Sequence, residues 1–227
     1  MADERTARER IRDAALELFA EAGVAATPVR AVAARAGVST ALVMHHFGSK
    51  DALRTACDEH VAATVRARKT ASVGAGADPL AALRASGDGP PLLRYLARTL
   101  LDGAPQVADL VDEMVADAQV YTEAGVGTGV VRPTDFPRER AVVLTIWSLG
   151  SLVLHEHVSR LLGTDLLGDP RSTGGYTLPA TEVLTRGVIT EPSYQQVRAA
   201  FAALDAERTA PDQETPDQET PHRGEGR

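Results

Sequence analysis

Three stop signals, each followed at once by a start signal, govern the first quarter of this chain. Gly23, Gly37 and Gly48 end helical stretches, and Thr27-Pro28, Ser39 and Ser49 open the next ones. Segments this short cannot each bury a face alone, so they must fold back on one another. The first helix carries Ile11, Ala15, Leu18, Phe19 and Ala22 at helical spacing. The second, with Thr27 as its cap and Pro28 at its first position, turns Val29, Val32 and Ala33 inward. Ser39 caps a third helix with Leu42, Val43 and Phe47, and Ser49 a fourth from Lys50 to about Arg68.

The rest of the chain reads as helix too. Aromatic residues make up only 4% of 227 residues while Ala and Leu abound, which disfavours strands. After a Gly- and Pro-punctuated stretch, Gly74–Pro91, helices are expected at Leu92–Leu101, Pro105–Glu123, Arg138–Leu162, Ala180–Val188 and Ser193–Arg208. Gly125–Pro133 and Gly163–Thr177 read as loops. Pro-Asp-Gln-Glu-Thr occurs at 211–215 and again at 216–220, and no apolar residue but proline follows Ala210. Residues 210–227 are therefore expected to be a disordered tail.

Other classes are disfavoured. The start of the chain has no apolar core of a signal peptide, and the longest apolar stretch, Ala141–Leu154, is too short for a membrane span. A single cysteine, Cys57, excludes an intrachain disulfide framework and fits a cytoplasmic protein. The net charge of −7 is uneven: residues 1–70 hold 11 Lys and Arg against 9 Asp and Glu, so the excess of acid lies beyond them. Arg30, Arg35, Lys50 and Arg54 face one acid, Asp51, in the segment from Arg30 to Arg54. An acidic body with a mildly basic segment near its start directs attention to that segment.

Within it stands Ala33-Ala-Arg-Ala-Gly37-Val-Ser39. A small residue where two helices cross, a glycine for the positive φ of a tight turn, an apolar plug and a capping serine describe the joint of a helix-turn-helix. The exposed face of the third helix, Thr40, Ala41, Met44 and His45, would then point at base edges in a major groove. The segment Arg8–Leu53 resembles the DNA-binding domain of the TetR/AcrR family of transcriptional regulators. The residues that carry the resemblance are Ile11, Ala14, Ala15, Leu18, Phe19 and Gly23, then Val29-Arg30, Val32-Ala33, Ala36-Gly37-Val38-Ser39, His46-Phe47-Gly48-Ser49-Lys50 and Leu53.

The resemblance implies an all-α fold, with a three-helix helix-turn-helix domain at 1–52 and a helical effector-binding and dimerisation domain at 53–209. It implies DNA contact through Thr27, Val29, Arg30, Ser39, Thr40, Ala41, Leu42, Met44 and His45, with His46 and Lys50 on the phosphate side. Lys50 makes sense alone, as a cation beside helix-terminal N–H groups. Met44 stands where the family usually has Tyr, and Leu42 where a small hydroxyl residue is common, so this recognition helix is less polar than usual. The function implied is a ligand-responsive regulator, a repressor that binds a near-palindromic double-stranded DNA operator as a homodimer. It is expected to be no enzyme, to need no cofactor or metal, and to stay off membranes. An all-α enzyme, or a DNA-binding protein without a ligand, remain the alternatives.

In the body, Val197, Ala200, Phe201 and Leu204 line one side of the last helix and are dimer candidates, with the long apolar helix 138–162. Trp147 reads as core, as dimer seam or as the wall of a cavity for a largely apolar effector, with Met114, Gln119, Tyr121 and His155 as further wall residues. His155 and His157 are two residues apart, which splits them between helix faces, unlike a zinc pair. Gly125-Val-Gly127-Thr-Gly129 lacks the preceding strand of a nucleotide loop and reads as an ordinary connection. Asp109, Asp112, Glu113 and Asp117 form either a solvated helix face or a site that attracts cationic effectors.

Overall fold

The computed structural model describes residues 6–74, 76–78, 89–103, 106–169 and 172–209. They form ten helices and no strand: α1 (Ala7–Ala26), α2 (Val29–Ala36), α3 (Thr40–Phe47), α4 (Lys50–Val73), α5 (Gly89–Leu101), α6 (Gln106–Gly127), α7 (Pro137–Val153), α8 (His155–Leu162), α9 (Gly174–Arg186) and α10 (Glu191–Thr209). The repeated tail 210–227 and most of the stretch before α5 lie outside the described residues. The chain divides into two units, Met1–Pro179 and Ala180–Arg227.

The first unit is organised around α1, which packs against α2, α3 and α4 and also against α5. A capping box fixes its start: the Thr6 hydroxyl accepts the Glu9 N–H at 3.2 Å and the Glu9 carboxylate accepts the Thr6 N–H at 2.7 Å. Ile11, Ala15 and Phe19 are buried as the spacing predicts. So is Leu16, which the one-sided pattern does not anticipate, because several helices pack on this one. Ala22 is exposed. Gly23 leaves the helix with φ 81° and ψ 159°, a conformation that L-residues avoid, and one short turn follows.

That kink changes the role expected for Thr27. Its hydroxyl donates to the Gly23 carbonyl at 2.8 Å and is buried beneath α1, so Pro28 takes the cap position of α2 without a side-chain cap bond. The next two joints follow the local chemistry of their sequences. Gly37 adopts the left-handed conformation, and Ser39 Oγ accepts the Leu42 N–H at 3.1 Å. Ser49 Oγ accepts the Ala52 N–H at 3.0 Å.

One core runs from the first helices into the body: Ile11, Phe19, Val32, Val43, Leu53, Cys57 and Val61 continue into Leu92, Tyr95, Leu96, Leu110, Met114 and Leu149. Arg66 of α4 is held by Glu113 and Asp117 of α6 at 2.8 and 2.7 Å, so half of the acidic cluster serves as an interhelix clamp.

The helix expected over 138–162 is two. Leu154 has φ −94° and ψ 18°, and α7 and α8 diverge by 75°. The Ser148 and Ser151 hydroxyls donate back to the carbonyls of Leu144 and Ser148, a bonding pattern that bends helices. Among the described residues no single helix is long and apolar enough to cross a membrane. The glycine triplet 125–129 also differs from the loop expected: α6 runs through Gly127, and Gly125 packs against Val131 and Val73. α9 likewise begins at Gly174, inside the stretch read as a loop, and contains Pro179.

Candidate nucleic-acid interface

The third helix owes its orientation to Val43, which is buried against the core, while Ser39 and Gly48 fix its two ends. Thr40, Ala41, Met44 and His45 consequently share the opposite, exposed face. Leu42 and His46 are half-buried at its margins. The His45 and His46 rings meet edge-on at 5.6 Å, and His46 meets Phe47 at 6.4 Å, which limits the rotamers of all three.

The four basic residues of the segment separate into two pairs. Arg35 is tied to Glu17 at 2.7 Å, and Arg54 is turned inward towards Asp58 at 3.7 Å. Arg30, at the second position of α2, is exposed. Lys50 donates to the Ala25 carbonyl at 3.1 Å, which holds its ammonium beside the end of α1. Ser39 is exposed but spends its hydroxyl as a cap, and Val29 is half-buried against the core. Thr27, placed in the contact set from the resemblance, is buried, with its hydroxyl donated to the Gly23 carbonyl.

Behind the motif lies a buried polar contact. The Tyr95 hydroxyl of α5 donates to Asp58 of α4 at 2.6 Å, and the Tyr95 ring packs on Phe19 with centroids 6.4 Å apart. Burial pushes the Asp58 carboxyl above its ordinary value; the Tyr95 hydrogen bond and the Arg54 charge oppose this, and Glu59 adds to it. A carboxyl with a raised folded-state pKa favours folding in its protonated form, so this group's contribution is present at low pH and lost as pH rises. Asp58→Asn is therefore expected to be at least as stable as the wild type at neutral pH. Its advantage should shrink as pH falls towards the ordinary carboxylate value of 3.8. Urea unfolding of both proteins across that range checks the sign.

Comparison with known proteins agrees with this geometry. Residues 11–57 match the family described as "Bacterial regulatory proteins, tetR family", and residues 89–190 match "Tetracyclin repressor-like, C-terminal domain". The transcriptional regulatory protein RaaS of Mycobacterium tuberculosis is 38% identical over 206 residues, which cover 89% of this chain and 93% of RaaS. An HTH-type transcriptional repressor of the same organism is 40% identical over 112 residues, 45% of this chain and 55% of that protein. A solved TetR-family regulator from Streptomyces coelicolor shares the fold, with a TM-score of 0.53 at 20% identity over 91% of this chain and all of the other. The chain belongs to the TetR family.

It is thus a DNA-binding transcriptional regulator, and the body of this TetR-family protein can be set beside the effector residues expected from its sequence. Met114 is buried in the core. Gln119 bonds Glu123 at 3.1 Å, and Tyr121 is half-buried, its phenol pushed up by burial and by Asp117. His155 opens α8 beyond the break. Met114 belongs to the buried core cluster, which does not include Trp147. The buried stripe of α7 is Ala141, Thr145 and Leu149, and Trp147 lies two residues from Thr145, on the other side, 38% exposed. Trp147 shares an exposed apolar stripe with Val143, Ile146 and Leu154. The helical surplus of apolar residues is spent outward. Among the described residues no group of three or more His, Cys, Asp or Glu side chains is placed to hold a metal ion.

Proposed function

We propose that this regulator is a repressor that binds a near-palindromic operator as a homodimer and releases it when a largely apolar small molecule enters the body helices. The observation that carries the DNA reading is the α3 face. Thr40, Ala41, Met44 and His45 project together from a helix locked by Val43, with Arg30 and Lys50 available at its flanks. Side chains of this kind read base edges and thymine methyls, while cations at the margins hold phosphates.

The dimer reading is supported by two exposed apolar stripes, each on its own unit. One is Val143, Ile146, Trp147 and Leu154; the other is Val197, Phe201 and Leu204 of α10, with the exposed Ala200 between them. Apolar surface of this extent in a soluble regulator marks an interaction site. Two-fold pairing would set two α3 helices about 34–36 Å apart, one DNA turn. An effector that prefers a different dimer geometry would release DNA by population shift, and the operator would weaken effector binding equally. The acidic body disfavours small, highly charged anions as effectors. The setting is the cytoplasm, and no catalytic step is required.

Selection of bound DNA from a random pool, followed by footprinting, is the decisive experiment. A symmetric half-site pair is the expected result, and recovery of no enriched sequence would overturn the reading. On the selected duplex, Lys50→Ala should weaken binding to all sequences and lower the slope of log affinity against log salt by roughly 1. His45→Ala should instead relax preference at one or two base pairs, each worth about 1–3 kcal/mol. Wild-type behaviour in both variants would remove these residues from the interface. Hydrophobic compounds should be screened against both operator release and Trp147 fluorescence, since Trp147 on the α7 stripe would report a change of the seam.

A further inference from the structure

We propose that Arg8 is a further DNA-contacting residue of this regulator, a phosphate-binding arginine that the Phe47 ring holds in place. The inference rests on the reading of α3 as the DNA-facing helix. The Arg8 guanidinium lies over the Phe47 ring, 5.2 Å from its centroid, and Phe47 is the last residue of α3. Arg8 is exposed. Arg12, Arg35 and Arg66 each hold a carboxylate at 2.7–2.8 Å, whereas Arg8 has no carboxylate partner among the described residues. A cation over a ring face keeps N–H groups with which it can meet phosphate oxygens.

Two features keep this arginine from being a loose surface cation. It sits in the first turn of α1, which the Thr6–Glu9 capping box fixes, and the same contact turns the Glu9 carboxylate back onto Thr6. The ring below it is itself positioned, because Phe47 packs against the core and meets His46 edge-on at 6.4 Å. Arg8, Phe47, His46 and His45 thus form a continuous row of stacked and edge-on groups that ends on the base-reading face. A cation held over an aromatic ring loses little rotamer freedom on meeting a phosphate, so the contact is preorganised. Phosphate contacts carry no sequence information, so Arg8 fixes register and affinity and leaves base choice to α3.

Fluorescence anisotropy on the selected operator and on a random-sequence duplex, over a range of salt, tests the assignment in the full chain. Arg8→Ala should weaken both duplexes alike, by roughly tenfold, and lower the salt slope by about 1, with an unchanged melting temperature. Arg8→Lys should keep the slope and recover only part of the affinity, because the ammonium stacks and forks less well. Phe47→Leu should weaken binding in the wild-type background and add nothing in the Arg8→Ala background. If Arg8→Ala binds like the wild type while Lys50→Ala is weakened, the Arg8 assignment is overturned and the DNA reading stands. A changed base preference with unchanged random-duplex affinity would overturn the phosphate role in favour of base contact. Additive losses from Phe47→Leu and Arg8→Ala would overturn positioning by the ring. A wild-type protein that binds neither duplex would overturn the DNA-facing reading itself, and this proposal with it.

Discussion

Phe201→Asp is expected to leave the chain folded but monomeric, and to weaken operator binding by roughly 100-fold or more. Phe201 is 65% exposed, between Val197 and Leu204 on one stripe of α10. A charge on an exposed face costs little within one chain, whereas an unpaired charge enclosed in an apolar seam is strongly unfavourable. A monomer would present one α3 to DNA and lose the gain from linking two half-sites. Sedimentation at micromolar concentration reads the assembly and anisotropy reads the operator. A dimer that persists with unchanged affinity would remove α10 from the seam. Ile146→Glu asks the same question of the α7 stripe independently.

Tyr95→Ala should have the largest effect on folding. The side chain is fully buried, packs on Phe19 of α1 and donates to Asp58 of α4. Truncating a buried aromatic costs about 3–5 kcal/mol, a large share of the roughly 5–15 kcal/mol that holds a domain together. Tyr95→Phe separates the two contributions: it keeps the ring and removes only the hydroxyl, at a cost of about 1–3 kcal/mol for leaving Asp58 without its donor. Denaturant titration checks both. Equal losses in the two variants would mean that the hydroxyl, not the packing, dominates.

What the sequence makes legible is chemistry that acts within a few residues. The Gly37 turn and the Ser39 and Ser49 caps are bonds from a side chain or amide to its near neighbours, and they form as the residue order predicts. The outward set on α3 follows from Val43 alone once the helix is placed. What escapes the sequence is decided by contacts between distant segments. Thr27 is a good cap residue, but the carbonyl released at Gly23 takes its hydroxyl. Arg8 and Phe47 are far apart in the chain, and neither carries a local sign of the other. Trp147 sits in a helix with apolar residues on several sides, and periodicity cannot say which side meets the core. The break at Leu154 arises from serines that are ordinary helix residues until their hydroxyls turn back on the backbone.

The packing of α1 against both α2 to α4 and α5 has a consequence for how such proteins can be recombined. α1 packs along a helix that begins at residue 89, whose Tyr95 meets the Phe19 ring, so the N-terminal helices borrow part of their inner lining from the body. A fragment ending near residue 52 would expose that lining to water and should aggregate or melt when expressed alone. A graft that moves this head onto the body of a relative should succeed only if the recipient's equivalent of α5 offers a ring where Tyr95 stands and room beside Gly23 for the Arg98 guanidinium. Exchange of operator specificity by cut-and-paste would therefore be governed in part by a helix outside the helix-turn-helix.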